Sequence, residues 1–362
     1  MTELTGKERV ARQLKHLPVD RIAVMEQFWN HTISHWVEQG TFPPGESPED
    51  HFNLDIAMNW TFNLKINPDM QDKLVAEDED TRTFLDGNGA TMRRYKGHDT
   101  TPEHLGYSIT DRADWEEKAK PFLTPERKRI AFDTYRRDKR HCEEKGRFFC
   151  WAGVNVFESI HPICGHENFL MGMALDPDWV KDMVETYADL WIHLMEILIA
   201  EEGKPDGIWF FEDMGFKGRP FMSPEMYREL IQPAHARTIA FAHDLGLPVL
   251  MHSCGFVEPL LPGMVEAGID CLQAMEVKAG MDLLRIYDNF GDKIALMGGL
   301  DVRPITKNDR PGILHELESK VPIVMQKNGF ILHSDHSIPE STDYDCYRYF
   351  LENGLRIGTY HS

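Results

Sequence analysis

Cysteine is scarce: six thiols in 362 residues, scattered at Cys142, Cys150, Cys164, Cys254, Cys271 and Cys346. That spacing excludes a disulfide-built scaffold and leaves any special thiol to be a ligand or a nucleophile. Positive charge is also short. Thirty-nine Lys and Arg stand against 59 Asp and Glu, a formal net charge of -20, which repels phosphate backbones and anionic lipid at long range, so neither nucleic acid nor membrane is an expected partner. No run of about 18 apolar residues occurs, and residues 1–20 are charged and helix-like without an apolar secretory segment, so a cytoplasmic protein is expected. Three catalytic signatures are missing: the Gly-x-x-x-x-Gly-Lys-Ser/Thr phosphate loop, the Gly-x-Ser-x-Gly elbow and the His-Glu-x-x-His helix. NTPase, serine hydrolase and zincin readings lose their main support.

What is present is a regular alternation. Hydrophobic residues make up 42% of the chain, enough for a sizeable core. Short apolar or β-rich runs ending in polar residues recur at 21–26, 54–60, 147–154, 206–213, 247–254, 270–276, 293–301 and 329–335, separated by longer amphipathic stretches. Eight strands alternating with helices predict a single (β/α)8 TIM-type barrel over residues 1–362, with reactive groups at the carboxyl ends of the strands. The second and third runs lie far apart, and 81–95 contains Asp86-Gly87-Asn88-Gly89, a hairpin turn between strand-like segments. This predicts a hairpin-containing insertion at the barrel rim, serving as a lid or as the arm of a homodimer.

The strand ends carry the chemistry. His252-Ser253-Cys254-Gly255 closes the fifth run. Residues two apart in extended backbone point the same way, so imidazole and thiol converge, an arrangement that suits zinc. Cys164-Gly165-His166, with His161 nearby, repeats the pattern in a turn-to-helix segment, where convergence is harder to obtain. The eighth run ends His333-Ser334-Asp335-His336. From it His336 is the choice for a third ligand that leaves one position open, or it acts as an acid/base histidine without metal. Asp213 follows Trp209-Phe210-Phe211, where a carboxylate beside an aromatic wall suits proton transfer or metal orientation. Glu26 and Trp29, Glu158, Glu276 and Asp301 sit at comparable strand ends and together predict a polar, ligand-binding mouth.

Several of these segments resemble one known group of proteins. They are Pro18-Val19-Asp20-Arg21-Ile22-Ala23-Val24, Met222-Ser223-Pro224-Glu225, Ile231-Gln232-Pro233, 247–255, Gly298-Gly299-Leu300-Asp301 and 333–339. Together they resemble the uroporphyrinogen decarboxylase-like superfamily over nearly the whole chain, which implies one TIM-type barrel. One branch decarboxylates uroporphyrinogen without a cofactor; another uses zinc to move methyl groups to or from a corrinoid (cobalamin) protein. The decarboxylases carry Arg-Gln-Ala-Gly-Arg after the first strand, where this chain reads Glu26-Gln27-Phe28-Trp29-Asn30, and an aspartate after the second, where it reads Met58-Asn59-Trp60. The methyltransferase branch places His-x-Cys at the end of strand five, matching His252 and Cys254. A cysteine is usual as the third ligand near the end of strand eight, and His336 occupies the aligned position.

The resemblance therefore implies a zinc-dependent methyltransferase with His252, Cys254 and His336 on the metal and a separate corrinoid protein as partner. Its small substrate would be of methoxy or thiol type. Trp29, Trp60 and Trp209 are expected to wall that substrate, with Asp213 or Glu158 handling the proton. Two rival readings are a metal-free decarboxylase of a small acid, using Asp213 and His336, and a non-catalytic small-molecule binder.

Overall fold

The computed structural model describes residues 3–97 and 102–360. The outermost residues of the expected domain therefore lie outside the described ones. In chain order the strands are β1 (Ala23–Val24), β2 (Ile56–Asn59), β3 (Lys73–Glu77), β4 (Thr81–Leu85), β5 (Thr91–Tyr95), β6 (Glu103–Gly106) and β7 (Phe148–Val154). They continue as β8 (Gly207–Phe211), β9 (Gly215–Phe216), β10 (Arg219–Pro220), β11 (Val249–Ser253), β12 (Cys271–Ala274), β13 (Ala295–Gly298) and β14 (Phe330–Leu332). Eight of them form one sheet in the order β1-β14-β13-β12-β11-β8-β7-β2. Every pair is parallel. The sheet curls until Asp55 N, at the entry to β2, donates to Val24 O at 2.8 Å, leaving a nearly closed barrel. All eight strands fall inside the runs predicted from sequence.

Two cores result from the two faces of the strands. Inside the barrel, alternate residues pack on one another, among them Ala23, Ile56, Cys150, Trp209, Leu250, Cys271, Met297 and Ile331. The opposite faces of the strands bury Val24, Trp151, Phe210, Met251, Leu272 and Leu332 in the larger helix-covered core. The amino end of the barrel is plugged by the helix Gly6–Gln13, which begins with a Thr5/Glu8 capping box. Val10 and Leu14 from this segment join the interior core, each side chain contributing roughly 1.5–3 kcal/mol by burial. Gln13 bridges β1 and β14 by accepting from Ala23 N at 2.7 Å and donating to Phe330 O.

The insertion is larger than the hairpin legible in sequence: β3, β4, β5 and β6 form a four-stranded antiparallel sheet. The Asp86-Gly87-Asn88-Gly89 turn joins β4 to β5 as expected. Asp86 Oδ1 accepts from Asn88 N and Ala90 N, and Gly89 takes φ of +74°, the left-handed region open to glycine. The outer strands were not read because β3 is exposed at every position and so lacks the apolar alternation of a half-buried strand. His104 on β6 brings the sheet against the helix Val156–Leu175, its ring 6.2 Å from that of His161.

Candidate active site

Parallel pairing of β8 with β11 aligns Phe211 with His252, so the residues just past these strands meet above the barrel. His252 Nε2 and Cys254 Sγ lie 3.0 Å apart, as the two-residue repeat of a strand dictates, while Ser253 turns away to accept from Met214 N. Asp213 completes the group: Oδ1 lies 3.2 Å from His252 Nε2 and accepts from Cys254 N at 2.8 Å. The approach depends on glycine. Gly255, at φ +77°, backs onto Gly215, and a Cβ at either position would fall within 2.5 Å of the other loop's backbone.

The electrostatics of the three groups are mutual. Burial disfavours charge on His252, yet Cys254 and Asp213 hold its pKa well above the ordinary imidazole value. Burial likewise opposes ionisation of Asp213, but His252 brings it down to about 2. Burial pushes the Cys254 thiol up against the pull of His252. One nitrogen, one sulfur and one oxygen donor, all within 4.8 Å of one another, fit a zinc ion by chemistry and spacing. His336 does not belong to this group. Its ring stacks on Trp29 with centroids 6.4 Å apart, and the third donor beside His252 and Cys254 is Asp213, from a different strand end.

Glu158 stands near the group at the start of the helix Val156–Leu175. Glu212 fixes that turn by accepting from Phe157 N and Glu158 N, and Glu212 is itself held by His235 at 3.0 Å. Burial, reinforced by the Asp213 and Glu212 carboxylates, pushes the Glu158 pKa well up. One Glu158 oxygen meets His161 Nε2 at 2.7 Å, and burial pulls that imidazole down to about 4; the other oxygen is buried without a hydrogen-bond partner. The second Cys/His cluster stays apart. The rings of His161 and His166 stack 4.2 Å apart, and Cys164 turns back to the carbonyls of Ile160 and Gly165. Among the described residues it forms no metal-sized group.

Three cavities open around the strand ends. One of about 400 Å3 is lined by Trp60, Phe62, Trp151, Val154 and Glu158. A second, about 280 Å3, borders Cys254, Glu276, Phe216, Lys217 and Lys278. A third, about 680 Å3, includes Glu26, Trp29, Met58, Trp60 and Ser337. Trp60 is 53% exposed and packs on Phe211 with centroids 4.8 Å apart, and Phe211 packs on His252 at 4.9 Å, giving an aromatic wall from rim to metal-sized group. Trp209 is 0% exposed and belongs to the barrel interior.

The other carboxylates have local partners. Glu276 accepts from Gly255 N and pairs with Lys278; Asp301 caps the helix Val302–Thr306 and pairs with Arg303. Glu26 is buried, accepts from Ser334 N at 3.1 Å, and is pushed up to about 8 by burial. Sequence reasoning passed over Gln273 and, within the eighth run, preferred His336 to Asp335. Asp335 ties Val277 N to Val302 N, and Gln273 touches both His252 and His333. The available signal for Gln273 was a polar residue at an inward position of a strand that is otherwise apolar.

An eight-stranded parallel barrel with acid, imidazole and thiol gathered at its carboxyl end is an architecture for small-molecule chemistry at a rim site. The sequence pattern of the uroporphyrinogen decarboxylase (URO-D) family matches residues 149–353, more than half the chain, and the protein belongs to that family. It is also similar to the methylated-thiol–coenzyme M methyltransferase of Methanosarcina mazei, with 26% identity over 152 residues. That match spans 41% of this chain and only 38% of the relative's length. A solved methyltransferase from Methanosarcina mazei shares the fold, with a TM-score of 0.68 and 16% identity, covering 97% of this chain and 98% of that one. Both relatives are methyltransferases. No described helix is long and apolar enough to cross a membrane.

Proposed function

We propose that the protein is a methyltransferase that moves a methyl group between a small methoxy- or thiol-type substrate and a corrinoid held by a separate protein, with zinc as its resident metal. The observation that carries this reading is the convergence of Asp213, His252 and Cys254 at the strand ends, and the methyltransferase relatives support it. Zinc bound there supplies Lewis acidity toward the heteroatom that carries or receives the methyl group.

The chain's own residues supply the surroundings. Trp60 and Phe211 present an apolar face to the substrate and exclude water from the approach to His252. Glu158, kept neutral by burial, gives a proton to a leaving thiolate or alkoxide. Asp213 stays ionised and fixes the Cys254 backbone. Trp29, His336 and Glu26 border the wider mouth, where the corrinoid partner would present its cobalt. The reading takes residues 1–362 as one domain working in the cytoplasm.

The test has two parts. Metal analysis of the purified protein is expected to give roughly one zinc per chain. Anaerobic incubation of zinc-loaded protein with reduced cobalamin and a panel of methoxylated and methylated compounds is expected to yield methylcobalamin. Metal-free protein that releases carbon dioxide from a small acid would establish the decarboxylase reading instead.

A further inference from the structure

The inward side chains of adjacent strands form a polar layer beneath the metal-sized group. β11 and β12 pair in register, with His252 opposite Gln273. Gln273 Oε1 meets His252 Nδ1, Gln273 Nε2 lies 3.2 Å from His333 Nε2, and His333 Nδ1 meets the Ser334 carbonyl. Gln273 and His333 are completely buried and His252 nearly so, so water does not redirect these bonds.

The chain of bonds has only one consistent direction. A backbone carbonyl accepts and never donates, so the His333 nitrogen facing Ser334 O carries the proton. Burial pulls the His333 pKa down to about 4, so the neutral ring has no second proton and its Nε2 is an acceptor. Gln273 must then turn its amide NH2 toward His333 and its carbonyl toward His252. That carbonyl accepts only from a protonated Nδ1, so Nε2, the nitrogen 3.0 Å from Cys254 Sγ and 3.2 Å from Asp213 Oδ1, is the one left to face a metal. The opposite amide orientation would set a bare His333 lone pair against the Ser334 carbonyl and put the His252 proton where a metal should bind. Beside them Glu26 Oε1 lies 3.4 Å from His333 Nε2 and accepts from Ser334 Oγ at 3.1 Å, and burial pushes the Glu26 pKa up to about 8, which favours the uncharged carboxyl.

We propose that Gln273 is a positioning residue that selects the Nδ1–H tautomer of His252 and thereby presents Nε2 to the metal, with its own orientation dictated by His333 and the Ser334 carbonyl. The inference rests on the zinc reading above for its consequence, though not for the bonding direction itself. An outer hydrogen-bond partner of a metal-bound imidazole fixes ring and tautomer, and its loss typically costs about 10–100-fold in metal affinity.

Two measurements on the full chain test it. In zinc-free protein with 15N-labelled histidine, long-range proton–nitrogen spectra are expected to show His333 with a protonated Nδ1 and a bare Nε2; a protonated Nε2 on neutral His333 overturns the proposal. Zinc affinity, measured by chelator competition, is expected to fall about 10–100-fold in Gln273→Met, which keeps the bulk, and to recover in Gln273→Glu, which keeps the acceptor toward His252. A folded Gln273→Met with wild-type affinity overturns the positioning role, as does a Gln273→Glu no better than Gln273→Met. Should the wild-type protein bind no zinc while His333 shows the expected tautomer, the bonding direction stands and the metal reading of the site fails.

Discussion

His252-Ser253-Cys254 and Cys164-Gly165-His166 hold the same donors at the same spacing, yet among the described residues only the first belongs to a metal-sized group. On β11 the backbone repeats every two residues, so the imidazole and thiol stand side by side, and the neighbouring strand end adds Asp213. In the helix Val156–Leu175, broken at Gly165, the Cys164 thiol turns to backbone carbonyls and His166 stacks on His161. The local environments diverge as well. Asp213 and Cys254 push His252 toward the cation, whereas His161 and His166 are pulled by burial to about 4 and remain neutral. A short motif thus specifies chemistry only through the secondary structure that carries it.

The sharpest way to break this contrast is a pair of thiol substitutions. Cys254→Ser is expected to abolish stoichiometric zinc while leaving the far-UV circular dichroism unchanged, whereas Cys164→Ala leaves zinc content intact. Metal analysis of both variants decides it, and equal loss in the two would erase the distinction drawn here.

Two tryptophans that the sequence alone would set on one wall offer the next largest effect. Trp209→Ala empties the barrel interior and is expected to cost roughly 3–5 kcal/mol in denaturant unfolding. Trp60→Ala, at a ring 53% exposed, should change stability by less than about 1 kcal/mol and raise KM for the methyl substrate instead. Similar stability losses in the two would mean that the rim aromatic is structural.

The neutral pole near Glu26 gives a smaller and pH-dependent effect. Its folded pKa of about 8 exceeds the ordinary carboxyl value of 4.5, so the native state binds the extra proton. The resulting stability is complete below the unfolded pKa and is lost as pH rises through the folded one. Between pH 5 and 8 the wild-type protein should therefore lose on the order of 3 kcal/mol that Glu26→Gln, uncharged throughout, does not lose. Urea unfolding of metal-free protein at the two pH values measures the difference, and parallel curves for both proteins would place Glu26 in the ionised state.

Most of the barrel was legible because each strand is a short buried run ended by polar residues and followed by an amphipathic helix. β8 and β11 show this clearly. β3, exposed at every position, and β6, only 4 residues long, give no such signal, so the rim insertion reads as a single hairpin. Within the site, His252 and Cys254 were legible as a pair because their convergence follows from local geometry. The choice of His336 as their companion came from alignment along the chain, and spatial proximity favours Asp213. The Gln273 contact to His333 spans 60 residues, a separation at which no local pattern operates.

The sequence by itself determined the alternation of strands and helices, the inward and outward faces of each strand, and the pairing of one imidazole with one thiol. These follow from periodicities of two and 3.6 residues, which act over a few positions. Which carboxylate joins that pair, which tryptophan reaches the rim and which way Gln273 turns were decided by tertiary structure alone. Each depends on parallel strands, distant in the chain, being set side by side with their ends in register, and on burial that fixes where every proton can reside.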